Sequence, residues 1–281
     1  MSKKYQSYLP KSHRFKFIKY KKDGYKATIT INREDKLNCL NLETIQELKN
    51  AFKQSAWDDD VAVVILTGAG KRAFSTGADV KEQGDYFINN PDDYYKWMYE
   101  FIELHQVMKD LGKPTIARLN GMVVGGGNEL NMSCDLAIAA DHITIKQVGP
   151  RMGSVPAAGA TQFLPLIVGD RRAREIIMLC EDIPAKKALE WGLVNEVVPY
   201  AQLDKAVDVL AEKLYNKLPV CLRYAKQQLN FWRDLSWHLT IGHARDWLSI
   251  HNLSNEVKEG ITAFNKKEKL NYKKIREKKS K

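Results

Sequence analysis

The sequence predicts an α/β fold, a core of parallel-type strands alternating with helices and followed by a helical appendage. Three observations predict it. Strand-like and helix-like segments alternate over the first two-thirds of the chain. The run VAVVILTG, residues 61–68, is apolar almost throughout, as suits a strand covered on both faces. From about Leu203 onward the segments read as helices, down to a Lys-rich tail.

Each element has its own signal. KATITINRE, from Lys26, alternates as a strand does. NLETIQELKNAFKQSA has apolar residues at helical spacing, and Asn41 can cap its start. PDDYYKWMYEFIELHQVMKDLG is a long helix opened by Pro91 and closed by Gly112. KPTIARLNGMVV reads as one strand, Gly125–Gly127 follow it, and NELNMSCDLAIAA begins as a helix whose DLAIAAD end could be strand or helix. Residues 149–159, rich in Gly, Ser, Pro and Ala, read as loop, with a helix from about Thr161. DRRAREIIMLC and PAKKALEWG are short helices and LVNEVVP is a last strand. This organisation divides the chain into residues 1–202 and 203–281.

The totals limit the function classes. At 281 residues the chain can build one large domain, or one domain with an appendage. It has no apolar run of the roughly 18 residues needed for a membrane span. Its N-terminal stretch is basic without an apolar signal core, so secretion is not expected. Cys39, Cys134, Cys180 and Cys221 are scattered and read as reduced thiols of a cytoplasmic protein. The net charge is +10, yet residues 1–26 carry +8 and residues 266–281 carry +7, which leaves −5 for the fold between them. The basic ends read as solubilising, with a nucleic-acid arm as the weaker alternative. A tail lysine meeting an anionic ligand is a third use.

The chemistry concentrates in NGMVVGGGNELNMSCD, residues 120–135. Three consecutive glycines cost backbone entropy, so they suit a sharp turn or a close approach. At the mouth of a helix, unpaired N–H groups point outward with the positive end of the dipole behind them. Such a junction can take a phosphate, or an oxygen on which negative charge develops. Plain strand–helix packing is the bland alternative. A P-loop is not supported because no G-K-[ST] follows, and the glycine spacing does not fit a dinucleotide fingerprint. A second strand delivers Ser75-Thr76-Gly77-Ala78, so Ala78 and Gly126 could supply two donors from two places. The six histidines are dispersed without metal-ligand spacing, and no G-x-S-x-G is present.

The ordered set INREDKLNCL, LTGAGKRAFSTGADVKE, PTIARLNGMVVGGGNELNMSCDLAIAAD, GATQFLPLIVG and AKKALEWGLVNEVVP resembles the enoyl-CoA hydratase/isomerase (crotonase) superfamily. It covers roughly Lys26 to Pro199, with a weaker echo in EGITAFNKKEK, and departs from the family at Glu34, where a proline is usual. The resemblance implies a crotonase-like spiral of ββα repeats, spanning residues 1–202, and a helical C-terminal trimerisation region. It implies a CoA thioester as substrate, with coenzyme A part of that substrate and no separate cofactor or metal, and a homotrimer or dimer of trimers. The backbone amides of Ala78 and Gly126 become the oxyanion hole. Lys36, Leu37 and Cys39 in the first block, and Asp79 and Val80 after Ala78, lie along the CoA. Phe264 and Lys267 resemble a C-terminal pair that reaches the adenine or a phosphate from a neighbouring helix, and plain solvation of Lys267 stands beside that reading.

Hydratases of this family use two glutamates. Glu129 matches one, and the position of the other is Gly149. The loop QVGPRMGS resembles those of dihydroxynaphthoyl-CoA synthases and of 6-oxocyclohex-1-ene-1-carbonyl-CoA hydrolases, and the hydrolases are the closer match. They carry an insertion after the VVP strand that this chain lacks. Glycine at 149 is expected to open space for a cyclic acyl group. Glu129 would then be the single acid/base, its pKa raised by partial desolvation. Ser154 could donate to a substrate carbonyl or merely satisfy its own backbone. Tyr86, Tyr94 and Tyr95 would flank the cavity, with packing as their first role. Two alternatives stand beside the water-adding, cyclic-acyl reading: a general enoyl-CoA hydratase or isomerase, and an RNA-binding protein on a crotonase scaffold.

Overall fold

The computed structural model describes residues 7–10, 12–156 and 158–278; the ends of both basic tails lie outside these. Strands β1 (Ile18–Asp23) and β2 (Lys26–Ile31) form a hairpin that leads to helix α1 (Leu42–Trp57). The second unit holds β3 (Val63–Gly68), β4 (Ala73–Ser75), α2 (Val80–Asp85) and α3 (Pro91–Asp110). The third holds β5 (Thr115–Leu119), β6 (Met122–Val124) and α4 (Gly126–Ser133). The fourth holds β7 (Leu136–Ala140), β8 (Thr144–Lys146), α5 (Gly149–Met152), α6 (Ala160–Val168) and α7 (Asp170–Leu179). Then come β9 (Ile183–Pro184), α8 (Ala185–Glu190) and β10 (Glu196–Val198). Helices α9 (Leu203–Tyr215), α10 (Pro219–Arg233), α11 (Leu235–His251), α12 (Asn255–Lys266) and α13 (Tyr272–Lys278) complete the described chain.

Units two to four send their first strand to one sheet and their second strand to another. The first sheet runs β1-β2-β3-β5-β7-β10, parallel from β2 onward, and the second runs β4-β6-β8-β9. This is the expected α/β spiral of ββα units. Every residue of β3 is buried, in keeping with its uninterrupted apolar run. Asn41 caps α1 by accepting from the Thr44 amide at 3.0 Å.

The expectation of one strand over residues 113–124 is corrected. The chain leaves the first sheet after Leu119 and enters the second at Met122. Asn120 holds that corner. Its Oδ1 accepts from the Gly68 amide at 3.0 Å and its Nδ2 donates to the Gly70 carbonyl at 2.8 Å, joining two units. A side chain satisfied in this way favours a turn over continued ladder pairing. The DLAIAAD ambiguity resolves as strand β7, and residues 149–152, read as loop, form the single turn α5.

The C-terminal helices differ in how they pack. Helix α9 buries Leu203, Val207 and Ala211 in the same core as the first sheet. Helix α10 faces the other way. Its one buried residue is Lys226, whose Nζ meets Asp135 Oδ2 at 2.8 Å and the Lys113 carbonyl at 2.9 Å. Leu229, Phe231 and Trp232 point outward, each more than 70% exposed. No helix is long and apolar enough to cross a membrane among the described residues.

Candidate active site

The glycine turn and the Ser75–Ala78 turn meet. Gly125 takes φ 54° and ψ −118°, a left-handed backbone that a side chain would strain. Its amide donates to the Lys146 carbonyl at 3.0 Å, and its carbonyl accepts from Asn128 and Glu129 at 2.9 and 3.1 Å. The turn is therefore fastened to β8 on one side and to the first turn of α4 on the other. Gly127 is pressed against the neighbouring turn, so that a Cβ there would lie 2.2 Å from the Ser75 carbonyl oxygen. The middle glycine, Gly126, opens α4. Its amide belongs to the first turn and has no carbonyl below it to accept.

Ala78 is aimed by its neighbours. Leu40 bridges it in parallel: the Leu40 amide donates to the Gly77 carbonyl at 2.8 Å, and the Asp79 amide donates to the Leu40 carbonyl at 2.9 Å. In such a bridge the amide of the middle residue points to the opposite side, and Ala78 lines a cavity there. A Cβ built on Gly126 would lie 3.7 Å from the Ala78 nitrogen, so the two amides are close neighbours. Among the described residues neither amide donates a backbone hydrogen bond.

The cavity has a volume of about 140 Å³. Ala78, Gly126, Glu129, Gly149, Ser154 and Val80 all line it, which brings half of the sequence-predicted site residues to one cavity. Glu129 is 5% exposed, one turn into α4. Its charge reaches Tyr94, whose phenol is pushed well up by burial first and by Glu129 second, so it stays protonated.

The enoyl-CoA hydratase/isomerase family model matches residues 24–276. The chain belongs to that family. Solved structures similar to it include an enoyl-CoA hydratase from Mycobacterium avium subsp. paratuberculosis K-10, at 27% identity and TM-score 0.83, covering 92% of this chain and 99% of that one. An enoyl-CoA hydratase from Bacillus anthracis is 32% identical with TM-score 0.75 and covers 92% and 99%. An enoyl-CoA hydratase/isomerase from Xanthobacter autotrophicus Py2 is 28% identical with TM-score 0.83 and covers 90% and 94%.

Within this member of the enoyl-CoA hydratase/isomerase family, the remaining expected residues divide. Cys39 is buried and takes a hydrogen bond from Arg33 to its sulfur at 3.3 Å; burial, with the Asp79 charge, pushes its thiol up to about 12. Burial alone would raise the Asp79 carboxyl, but Arg33, 2.9 Å away, and the Glu82 amide draw it below the usual range. Its carboxylate also caps α2. Both side chains are thus engaged within the protein. Lys36 is exposed, and Leu37 lies in a separate surface groove with Lys71 and Tyr200. Phe264 and Lys267 are exposed and line no part of their own chain's cavity.

The reading of Gly149 as an opening is corrected. A Cβ there would meet Pro156 Cδ at 2.8 Å and the Ser154 carbonyl at 2.9 Å. Glycine lets the 153–156 segment fold back onto α5, and the space of a missing side chain is filled by protein. Of the three tyrosines, Tyr94 lines the cavity and stacks on Trp97 at 6.0 Å. Tyr86 bonds Asp93 and Tyr95 lies under Arg245, and both are exposed.

Several lining residues had no functional reading in the sequence. Trp97, Met98 and Phe101 come from α3, Gln147 from the end of β8, and His251 from α11. His251 stacks on Trp247 at 4.5 Å, with Nε2 3.3 Å from the Gly153 carbonyl. Gln147 stood two residues before Gly149 in a quoted loop, and only burial reveals it. Among the described residues no cluster of three or more His, Cys, Asp or Glu could hold a metal ion.

Proposed function

We propose that the protein adds water to an unsaturated or cyclic acyl-CoA, with Glu129 as its single carboxylic acid/base. The observation that carries this reading is the pair of amides at Ala78 and Gly126 beside a buried glutamate. The thioester oxygen would lie between the two amides. As the Glu129 carboxylate takes a proton from water, the water oxygen bonds the β-carbon and the electron pair moves to the thioester as an enolate. The amides hold that charge, a contribution of roughly 3 kcal/mol for each donor. Glu129 then returns the proton to the α-carbon. With a ring ketone attached to that α-carbon, attack of water on the ketone would break the ring bond and send the electron pair to the same enolate. The cavity volume suits a ring of this size, being close to the roughly 150 Å³ known to hold benzene.

The proposal includes self-association in a cytoplasmic homotrimer or dimer of trimers. The outward apolar residues of α10 and α11, among them Phe231, Trp232 and Leu239, favour a second copy over water.

Mass spectrometry of crotonyl-CoA and cyclohex-1-ene-1-carbonyl-CoA, each incubated with the enzyme, tests the reading. Water added to the cyclic thioester, with slow turnover of crotonyl-CoA, is expected. Fast hydration of crotonyl-CoA would transfer the function to a general enoyl-CoA hydratase.

A further inference from the structure

The acyl cavity is lined from two separate apolar clusters. Trp97, Met98, Phe101 and Leu248 belong to the main core, which also holds residues of both sheets. Val257 and Ile261 do not. With Ile88 they form a small cluster of their own, against which Val80 packs. Val257, Ile261 and Val80 all line the cavity. Val257 and Ile261 stand one turn apart on α12, so their side chains share one face of that helix.

The backbone of α12 is fixed, and the side chains on this face are free to differ. Close approach fastens the helix to α5. A Cβ on Gly153 would lie 2.4 Å from the Glu256 carbonyl oxygen, and one on Gly260 would lie 2.1 Å from the Met152 carbonyl oxygen. On the α2 side, a Cβ on Gly84 would lie 2.7 Å from Ile261 Cγ2. Asn252, just before α12, donates to the Phe87 carbonyl at 2.9 Å and ties the helix entrance to the segment that carries Ile88. Main chain packed on main chain leaves the helix little play. The sizes of residues 257 and 261 therefore set how far the cavity extends toward α12. A change at Phe101 or Leu248 disturbs the core that holds the whole fold, whereas a change at these two disturbs only the small cluster. The volume gives the limit: about 140 Å³ is close to the roughly 150 Å³ that holds benzene, a ligand of about six carbon atoms.

We infer that Val257 and Ile261 are the specificity-determining residues of the acyl site, an own-chain ceiling that confines the acyl group to about six carbons. The inference rests on the acyl-CoA reading of the site.

Saturated straight-chain thioesters test the ceiling without turnover, because they have no double bond to hydrate. Calorimetry gives Kd for butyryl-, hexanoyl-, octanoyl- and decanoyl-CoA, with CoA alone as the reference. In the wild type, affinity is expected to rise to hexanoyl-CoA and to fall by about 10-fold or more at octanoyl-CoA, which overfills the site. Ile261→Ala should move the optimum to octanoyl-CoA and tighten that ligand by about 10-fold, as about two more methylenes are buried, with butyryl-CoA changed only a few-fold. Val257→Phe should move the optimum the other way, to butyryl-CoA. A merely structural role would weaken all four ligands together and leave the optimum in place. Octanoyl-CoA binding the wild type as tightly as hexanoyl-CoA overturns the inference and leaves the acyl-CoA reading standing. So does an optimum that stays at hexanoyl-CoA in both variants. Binding of none of the four thioesters by the wild type removes that reading and the inference with it.

Discussion

The two walls of the acyl cavity are built by different forces. The wall of Gly125–Gly127 and Ser75–Ala78 is held by main-chain hydrogen bonds to β8, to Leu40 and within α4, and Gly77 and Gly127 press against backbone. The opposite wall, residues 149–156, turns on the Ser154 amide bonding the Gly149 carbonyl at 2.8 Å and on Gly149 packing against the Pro156 ring. A wall that stabilises charge must not move when charge appears, and fixed dipoles meet that need. A wall that shapes the acyl group needs only to exclude and to fit. Under the proposed function, catalysis would belong to the first wall and specificity to the second.

Glu129→Gln carries the largest expected effect. Turnover of a CoA thioester should fall by about 10³-fold while Kd for the thioester stays within a few-fold, because only proton transfer is lost. Steady-state kinetics beside calorimetric binding would show it, and unchanged turnover would remove Glu129 from the chemistry. Gly127→Ala comes next. Its methyl would meet the Ser75 carbonyl at 2.2 Å, a backbone atom fixed in β4. A cost of about 2–3 kcal/mol is expected from such overpacking, and kcat should fall with the melting temperature as the Gly126 amide shifts. Gly149→Ala should cost less, about 1–2 kcal/mol, because its nearest contact, 2.8 Å to Pro156 Cδ, overlaps less than the 2.2 Å contact at Gly127. Equal losses of melting temperature in the two variants would erase the difference between the walls.

The smallest effect is a pH dependence behind the rigid wall. His105 packs edge-on to Phe101 at 4.5 Å, and Phe101 Cζ lies 3.0 Å from where a Gly126 Cβ would stand. Burial, with the Lys109 charge adding to it and the Phe101 carbonyl opposing it, lowers the His105 imidazole to about 4 from 6.5. Because the folded pKa is depressed, its contribution is complete above pH 6.5 and is lost as pH falls toward 4. Melting temperature should therefore decline more steeply over that window in the wild type than in His105→Phe.

Much of this was legible in the sequence, and the parts that were not have physical reasons. The long helix α3, the covered strand β3 and the cap at Asn41 carry strong local signals, and all stand in the structure. Strands β4, β8 and β9 hold three, three and two residues, too few for a period of two to appear. The break at Asn120 was hidden because its partners, Gly68 and Gly70, lie some fifty residues earlier. Helical spacing identified α10 but not its wet side, since a lysine faces in and tryptophan faces out. At the site, the meeting of Glu129, Ala78 and Gly126 on one cavity was legible because each lies in or beside a glycine turn that chain order displays. The emptiness expected at Gly149 was not, because it depended on where Pro156 would come to rest.

The central claim is that the Ala78 and Gly126 amides share one thioester oxygen. A crystal structure of Glu129→Gln with a bound acyl-CoA tests it most directly. The account predicts the thioester oxygen about 2.7–3.1 Å from both nitrogens. A thioester bound elsewhere, or bonded to neither amide, would contradict it.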